Sequence, residues 1–285
     1  HVHVNHGESD KICMVSNQAK AYDKVFVAGQ AAVDRHRAAI AWFDSSHLVR
    51  VGRPQLDLEV EPALRESTRM TYTYAPTWEG EDDANNYSSV DRYGPQIIEA
   101  LLAQPNARVI YKPHPRVVDS DDPRIRRGHE AITRAIESAA KADPTAGHVV
   151  LVAADMLGVI RCTDILVADV SSVTLDFLYL RPGAPILLTD RRSNRTALLA
   201  ESPLAEAAYV IDSTSIATLT SDLPGVESDD QRAQARITMR NHYFDELAPG
   251  ESTERFWAEL RRAMDQHDTA LRALTRVRVV SEETS

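Results

Sequence analysis

The clearest alternation of hydrophobic and polar positions lies in residues 164–189. An apolar run at 165–167 leads to Asp169 and two serines, a helical pattern follows, and a Pro-Gly-Ala-Pro turn at 182–185 precedes a second apolar run at 186–188. Short apolar runs bounded by turn residues are typical of buried strands. The segment therefore predicts one strand–helix–strand unit.

Ser171 and Ser172 stand where that helix begins. A serine at this position can satisfy a free backbone N–H with its hydroxyl, while the other N–H groups and the positive end of the helix dipole attract anions. Ligands of open α/β sheets bind beyond the carboxyl ends of the strands, so Asp169 and the two serines predict a phosphate site, with a nucleotide phosphate as the natural occupant. Taken alone, residues 169–172 are better explained as a plain helix cap.

The rest of the chain alternates between apolar runs and amphipathic stretches, which predicts an α/β fold with Rossmann-like domains. We expect residues 1–65 to be the end of a truncated N-terminal domain and residues 66–285 to form a C-terminal domain with closing helices. The segments predicted to contain strands are 1–7, 22–29, 48–57, 71–80, 108–115, 148–153 and 207–212. The predicted helices are 30–43, 93–104, 129–142, 155–162, 228–244 and 253–274, and residues 116–128 are expected to be a charged loop.

Composition narrows the function classes. The chain has 285 residues, a formal charge of −10 and 43% apolar residues. The net negative charge argues against non-specific binding of nucleic acid. Two cysteines outside any cluster fit a reducing compartment and give no disulfide scaffold. No apolar run approaches the length of a membrane span. The chain starts at His1 and soon enters a motif, so we expect an N-terminal region to be missing.

Several enzyme classes lack their motif in this chain. Neither a P-loop nor a dinucleotide fingerprint occurs. The G-x-S-x-G motif of α/β-hydrolases is missing, as are H-E-x-x-H and paired cysteine ligands. We therefore expect neither a metal nor a cofactor.

Most polar motifs come directly after a predicted strand. In a parallel sheet such positions converge on one edge, so we expect one cleft lined by His, Lys, Arg, Thr and Ser side chains. The motifs are His6 with Gly7, Gly52 to Pro54, Pro76 to Trp78, Lys112 to Pro115, and Asp169 to Ser172. The ordered set is a stronger indication of a site than any single motif.

Some of these side chains are suited to chemistry. Lys112 and His114 alternate along an extended segment and could neutralise phosphate oxygens or move a proton, with a solvated lysine and a packed histidine as the alternative. His6 is a candidate general base, and the adjacent Gly7 permits close approach of a ligand. Trp78 either stacks on a base or packs against the core.

Taken together, the motifs resemble those of the CDP-glycerol glycerophosphotransferase family of teichoic acid synthesis. The resemblance runs in family order from about residue 4 to residue 265. The matching stretches are HG followed by Lys11 (family pattern H-G-x-x-x-K), GRPQLD, YAPTWEG, YKPHP, DILVADVSSVTLDFLYLRPGAPILL and LAPGESTERFWAEL. Each match is weak by itself, and their order makes the set more specific.

The resemblance implies a GT-B-like fold, with the acceptor-side domain in residues 1–65 and the donor-nucleotide domain in residues 66–285. It implies transfer of glycerol phosphate from CDP-glycerol to a hydroxyl of a lipid-linked or polymer acceptor, with release of CMP, in synthesis of a cell-surface polymer. The expected partners are a CDP-alditol donor and a polyprenyl-linked acceptor, and no nucleic acid. We expect a cytoplasmic enzyme; peripheral contact with the inner face of the plasma membrane and the oligomeric state stay open.

The resemblance also implies roles for single residues. His6 is the expected base, and His114 contacts the donor phosphate or serves as a second acid/base group. Lys112 and Arg53 are expected to offset charge on the phosphoryl oxygens. The other residues expected to bind the donor are Gly7, Lys11, Thr77, Trp78, Asp169, Ser171, Ser172 and Asp176.

The chain departs from the family pattern at several positions. Val170 replaces a common tyrosine, and Asp190-Arg191-Arg192 stands where the family often has a tyrosine-containing segment. These departures leave open the acceptor and the transferred group. Two other functions also stay open: a GT-B glycosyltransferase or epimerase that uses a UDP-sugar, and a non-catalytic nucleotide-binding module.

Overall fold

A computed structural model of the chain describes residues 1–5 and 7–283, without the side chains of Ile12 and of residues 275–283. Residues 1–5, 15–58 and 242–283 form a first unit, and residues 7–14 and 59–241 form a second. Within the described residues, the strands are β1 (Val2–Val4), β2 (Lys24–Val27), β3 (Leu48–Arg50), β4 (Met70–Ala75), β5 (Ala107–Tyr111), β6 (Val149–Val150), β7 (Ile165–Ala168), β8 (Ile186–Thr189) and β9 (Tyr209–Ile211).

The helices of the same residues fall between these strands and after them. The α-helices are α1 (Gln30–Ala39), α2 (Gly94–Leu102), α3 (Pro115–Val118), α4 (Pro123–Ala142), α5 (Met156–Arg161), α6 (Ser172–Leu180), α7 (Arg195–Glu201), α8 (Leu219–Ser228), α9 (Ala233–Phe244) and α10 (Glu251–Glu283). Short 3₁₀ helices cover Ile12–Met14, Asn17–Ala21, Ser45–His47, Pro54–Asp57, Asp83–Asn85, Pro203–Glu206 and Ser215–Thr218.

The first unit is built on a parallel sheet in the order β1-β2-β3. Successive side chains of a strand point to opposite faces, so Val25 and Val27 of β2 lie on one face and Phe26 on the other. The two valines belong to a core that includes Ala32 and Val33 of α1. Phe26 meets Phe256 of α10 edge-on, with 5.4 Å between the ring centroids. The C-terminal helix therefore packs on the sheet of the first unit.

The second unit is built on a parallel sheet in the order β6-β5-β4-β7-β8-β9. Strands β5, β7 and β8 are buried along their whole length, as expected for central parallel strands covered on both faces. The chain builds outward from β4 to β6 and then returns to place β7 on the other side of β4. The strand order thus reverses between β4 and β7, and ligands of open α/β sheets bind at such a switch point.

The prediction of a loop over residues 116–128 is wrong. Residues Pro115–Val118 form α3, and α4 begins at Pro123. Pro123 stands in the first turn of α4, where its missing N–H costs nothing, and the Asp122 side chain accepts a hydrogen bond from the Arg124 N–H. The stretch is charged because it starts an exposed helix.

Helix α7 was not predicted from the sequence. Helix α7 begins after Asn194, whose side chain accepts a hydrogen bond from the Ala197 N–H at 3.1 Å. An asparagine is a favoured N-cap residue, so the local signal was present in the sequence.

The two units do not follow the predicted division after residue 65. The first unit takes in residues 242–283, and one reason is that the Asp57 carboxylate accepts hydrogen bonds from the N–H and the hydroxyl of Thr253, both at 2.7 Å. Residues 7–14 lie with the second unit. The acceptor and donor roles expected for the two domains stay predictions.

Gly128 of α4 offers a test of packing in the second unit. A Cβ on this residue would lie 2.5 Å from the Val90 carbonyl oxygen, a backbone atom that cannot easily move. We expect Gly128→Ala to lower the free energy of unfolding by about 1–3 kcal/mol, because overpacking outweighs the gain of about 1 kcal/mol in helix propensity. Gly225→Ala in α8 is the control, since its Cβ would meet nothing within 4 Å. Urea unfolding measures both variants, and equal effects would contradict the packing.

Candidate functional site

Three loops of the second unit meet at its switch point. They follow β4, β5 and β7, which lie side by side in the order β5-β4-β7. The first loop carries Thr77 and Trp78, the second carries Lys112 and His114, and the third carries Asp169. Adjacent strands are about 4.8 Å apart, so the structure brings these five predicted residues together at one edge of the sheet.

The carboxylate of Asp169 ties the loop after β7 to the loop after β4 and to the end of β8. It is fully buried and accepts hydrogen bonds from the Thr77 N–H at 2.7 Å and from the Thr189 hydroxyl at 2.5 Å. Burial raises the pKa of Asp169, and hydrogen bonds from Ser89, Thr189 and Thr77 oppose that rise. Asp169 therefore holds the loop after β4 and the end of β8 in place, and a direct contact with substrate stays a prediction.

Lys11 is the cation next to this carboxylate. Its Nζ donates a hydrogen bond to Thr77 Oγ1 at 2.9 Å. Burial lowers the pKa of Lys11, and the nearby charge of Asp169 opposes the shift. The preceding Asp10 accepts a hydrogen bond from the Ser202 hydroxyl at 2.7 Å. Two polar contacts thus attach the segment that carries Lys11 to the second unit.

Lys112 is buried rather than solvated, so the alternative of a solvated lysine is wrong. Its Nζ donates a hydrogen bond to the Val152 carbonyl oxygen at 2.9 Å. Burial lowers the pKa of Lys112, and the charge of Asp155 opposes the shift. An ammonium group has three N–H donors, so two can still be directed to a phosphate.

His114 caps helix α3, and this contact sets its tautomer. Its Nδ1 accepts a hydrogen bond from the Arg116 N–H at 3.2 Å, so the neutral ring carries its proton on Nε2. Partial burial lowers the pKa of His114, the charges of Lys11, Arg116 and Lys112 lower it further, and Glu79 opposes them. At pH 7 the ring is therefore neutral and presents an N–H donor.

Trp78 is engaged by its own neighbours. The Arg116 guanidinium lies over its ring, 4.2 Å from the centroid. The indole also packs against the core of the second unit and lies near His114, with 6.2 Å between ring centroids. The packing role is shown by these contacts, and stacking on a base stays a prediction.

The start of α6 has no serine cap. Ser171 is the N-cap residue, but its hydroxyl makes no capping hydrogen bond, and although buried it has no hydrogen-bond partner among the described residues. The explanation as a plain helix cap is therefore wrong. Ser172 opens the helix, whose first-turn N–H groups lack intrahelical partners. These N–H groups and the unpartnered hydroxyl together form a set of donors that suits an anion.

The other predicted residues belong to other segments than these loops or lie outside the description. Gly7 and Asp176 are half-buried, the first just before Lys11 in the chain and the second on α6. Arg53 is buried in the first unit, after Gly52 with its positive φ of 73°. His6, the expected base, lies outside the described residues.

Sequence reasoning missed two residues that hold the site. Thr189 ends β8, and the same reasoning about strand ends would have found it. Ser89 hydrogen-bonds to Asp169 and also to the Tyr74 hydroxyl at 2.7 Å, but it lies in a polar loop where no local signal distinguishes it.

Two kinds of feature are not found in the part of the chain that the structure describes. Its His, Cys, Asp and Glu side chains form no group of three or more that could hold a metal ion. None of its helices is long and apolar enough to pass through a membrane.

A family model described as CDP-glycerol:poly(glycerophosphate) glycerophosphotransferase matches residues 5–260. The chain belongs to this glycerophosphotransferase family. The resemblance seen in the sequence motifs is thereby confirmed. A comparison with curated protein sequences finds no match.

Solved structures are similar to this glycerophosphotransferase-family chain in fold. The wall teichoic acid polymerase TagF matches 87% of the chain with a TM-score of 0.55 and 14% identity. A putative UDP-N-acetylglucosamine 2-epimerase from Listeria monocytogenes matches 87% with a TM-score of 0.56 and 13% identity. The chain spans 60% of the first protein and 61% of the second. The predicted α/β, GT-B-like fold is confirmed.

The tautomer of His114 in this glycerophosphotransferase-family chain can be tested directly. We expect its pKa to lie below 6.5, with the proton of the neutral ring on Nε2. Because the folded state binds this proton less readily than the unfolded state, stability falls as the pH drops below 6.5 towards the folded pKa. Imidazole ¹⁵N spectra, assigned with His114→Gln, report both properties. A proton on Nδ1, or titration above 6.5, would contradict the contact.

The lack of a partner for the Ser171 hydroxyl leads to a prediction about stability. We expect Ser171→Ala to change the free energy of unfolding by less than about 0.5 kcal/mol, although loss of a working N-cap serine costs about 1 kcal/mol. Thr189→Val is the matched comparison, because it removes a donor to the buried Asp169 carboxylate and is expected to cost about 1.5–3 kcal/mol. Chemical denaturation of both variants checks the difference, and similar losses would refute it.

Proposed function

We propose that this chain binds a CDP-alditol, with CDP-glycerol as the leading case, and transfers its alditol phosphate to an acceptor hydroxyl, releasing CMP. One observation carries the proposal: the donors at the start of α6, including the buried Ser171 hydroxyl, lie at the switch point with Lys11 and Lys112. Membership of the glycerophosphotransferase family supports it. One similar structure is that of a TagF variant soaked with CDPG.

The electrostatics of these loops suit a diphosphate. The chain as a whole carries a formal charge of −10, so attraction of an anion depends on local groups. Burial disfavours the charged forms of Lys11 and Lys112, and a phosphate placed beside them would favour those forms again. In a partly dry site such interactions are stronger than in water.

The proposed reaction is a displacement at phosphorus. The acceptor hydroxyl oxygen attacks the phosphorus that carries the glycerol, the bond from this phosphorus to the bridging oxygen breaks, and CMP leaves with that oxygen. His6 is assigned as the base that takes the hydroxyl proton. Since neutral His114 presents Nε2–H, we assign it as a hydrogen-bond donor to a phosphoryl oxygen rather than as a second base.

The finer parts of the proposal rest on the family resemblance. We assign the second unit to the donor and the first unit to the acceptor. Arg53 is assigned to offset charge on the phosphoryl oxygens. The acceptor hydroxyl is proposed to sit on a polyprenyl-linked carrier or a growing teichoic-acid-like polymer. Such an acceptor would be met in the cytoplasm at the inner face of the plasma membrane.

Release of CMP tests the proposed reaction. The intact protein, incubated with CDP-glycerol and a polyprenyl-linked acceptor, is expected to release CMP. His6→Ala and His114→Ala should each lower the rate by about 100-fold or more in a protein that stays folded, because each removes a group assigned to the reacting phosphate. His114→Ala also removes the cap of α3, so a small fall in Tm is expected for that variant. Asp121→Asn, at an exposed position of the same unit, is the control. Absence of CMP release with any CDP-alditol would refute the transfer.

A UDP-sugar as substrate is the second candidate, since an epimerase is among the similar structures. A ligand that binds only the folded state raises its apparent stability, so thermal shifts with CDP-glycerol, CDP-ribitol and a UDP-sugar separate the two. A shift with the UDP-sugar alone would favour the second candidate. A shift with CDP-glycerol but no CMP release would favour a non-catalytic binding module.

A further inference from the structure

A small cavity of the second unit lies beside the candidate phosphate site. It is bordered by Val170, which follows β7, and by Thr189 and Asp190 at the end of the adjacent β8. Val170 is the chain neighbour of Asp169, and Thr189 donates a hydrogen bond to the Asp169 carboxylate. Two residues that border the cavity are therefore in direct contact with, or next to, this carboxylate. Its free volume of about 20 Å³ is enough for one water-sized group.

The two arginines that border this cavity are already neutralised. Arg191 forms an ion pair with Asp91, and the two side chains are only 10% and 7% exposed. Arg191 also donates to the Ser88 carbonyl oxygen at 2.6 Å. Arg192 pairs with Glu201 at 3.0 Å. The positive charges around the cavity are therefore matched one to one by Asp91 and Glu201.

Asp190 is the charged residue that remains on the cavity wall. It is 5% exposed, and its Oδ1 accepts a hydrogen bond from the Arg192 N–H at 3.1 Å. Its Oδ2 is buried and has no hydrogen-bond partner among the described residues. A buried carboxylate oxygen without a donor is costly, and such a group in a native structure requires an explanation. An O–H or N–H group that entered the cavity would supply the missing donor.

The surroundings select the chemistry of that donor. The negative charge of Asp190 repels a phosphate group from this cavity. The uncharged part of the wall includes the amides of Asn86 and Asn194 and the apolar Val170 and Leu198. Such a wall suits a single neutral hydroxyl group. In a CDP-alditol the alditol and the ribose are each joined to one of the two phosphates. A cavity beside the start of α6 with room for one water-sized group admits a hydroxyl of the alditol but not the nucleoside.

We propose that Asp190 determines specificity by accepting a hydrogen bond from a hydroxyl of the donor's alditol. The inference rests on the proposed function, because it takes the diphosphate to lie at the start of α6. It concerns a position where this chain departs from the common family pattern, since Asp190-Arg191-Arg192 stands in place of a tyrosine-containing segment.

Calorimetric titration of the intact protein with three ligands tests the assignment. The ligands are CDP-glycerol, CDP-propanol, which lacks both free hydroxyls of the glycerol, and CDP. The wild type is expected to bind CDP-glycerol about tenfold or more tightly than CDP-propanol, as for a hydrogen bond to a charged group. Asp190→Ala should lose this preference and bind CDP as the wild type does, whereas the exposed control Asp121→Asn should keep it.

Each other outcome overturns the assignment. An unchanged preference in Asp190→Ala would leave the cavity to a structural water, and equal losses for all three ligands would show a general effect on the site. Asp190→Asn retains the side-chain shape and takes the place of the alanine variant should that variant unfold; it too should weaken the preference for CDP-glycerol. A wild type that binds none of the three ligands would refute the proposed function itself, which separates the two failures.

Discussion

The hydrogen bonds of one buried carboxylate organise the candidate site. Asp169 follows β7, yet it accepts from the Thr77 N–H after β4 and from the Thr189 hydroxyl at the end of β8. Burying a carboxylate is costly unless it is fully hydrogen-bonded, so these partners must be in place in the folded protein. The contacts fix the loops after β4 and β7 and the end of β8 before any ligand arrives. Preorganisation of this kind is what electrostatic stabilisation of a developing charge requires.

Positive and negative side chains are distributed unevenly around this carboxylate. Lys11 and Lys112 are held with lowered pKa values in the second unit, whose switch point also carries the N–H groups at the start of α6. After β8 the arginines are paired and the Asp190 carboxylate retains an oxygen without a donor. The switch point suits phosphate and the cavity beside it suits a hydroxyl group, an order that matches the covalent order of a CDP-alditol.

Family membership and the specificity of this chain are inferred from different features. The order of motifs along the chain and the match over residues 5–260 assign the family. At Asp190-Arg191-Arg192 the chain departs from the common family pattern, and these three residues border a cavity of the second unit. TagF and a putative UDP-N-acetylglucosamine 2-epimerase share this fold with the chain at 13–14% identity. A fold does not by itself decide function, so specificity has to be argued from such side chains.

The sequence by itself determined the strands, the strand–helix–strand unit at 164–189 and the gathering of polar motifs at strand ends, because these follow from local periodicity and from the geometry of parallel sheets. The sequence-based prediction was wrong for the charged stretch 116–128, which was expected to be a loop. Asp122 and Pro123 start a helix there. Only the tertiary structure decided that the Ser171 hydroxyl has no capping role, that residues 242–283 belong with the first unit, and that Thr189 and Ser89 support Asp169. The physical reason is distance along the chain. The partners Thr77 and Asp169 are 92 residues apart, and no local pattern records which buried carboxylate a distant N–H will meet.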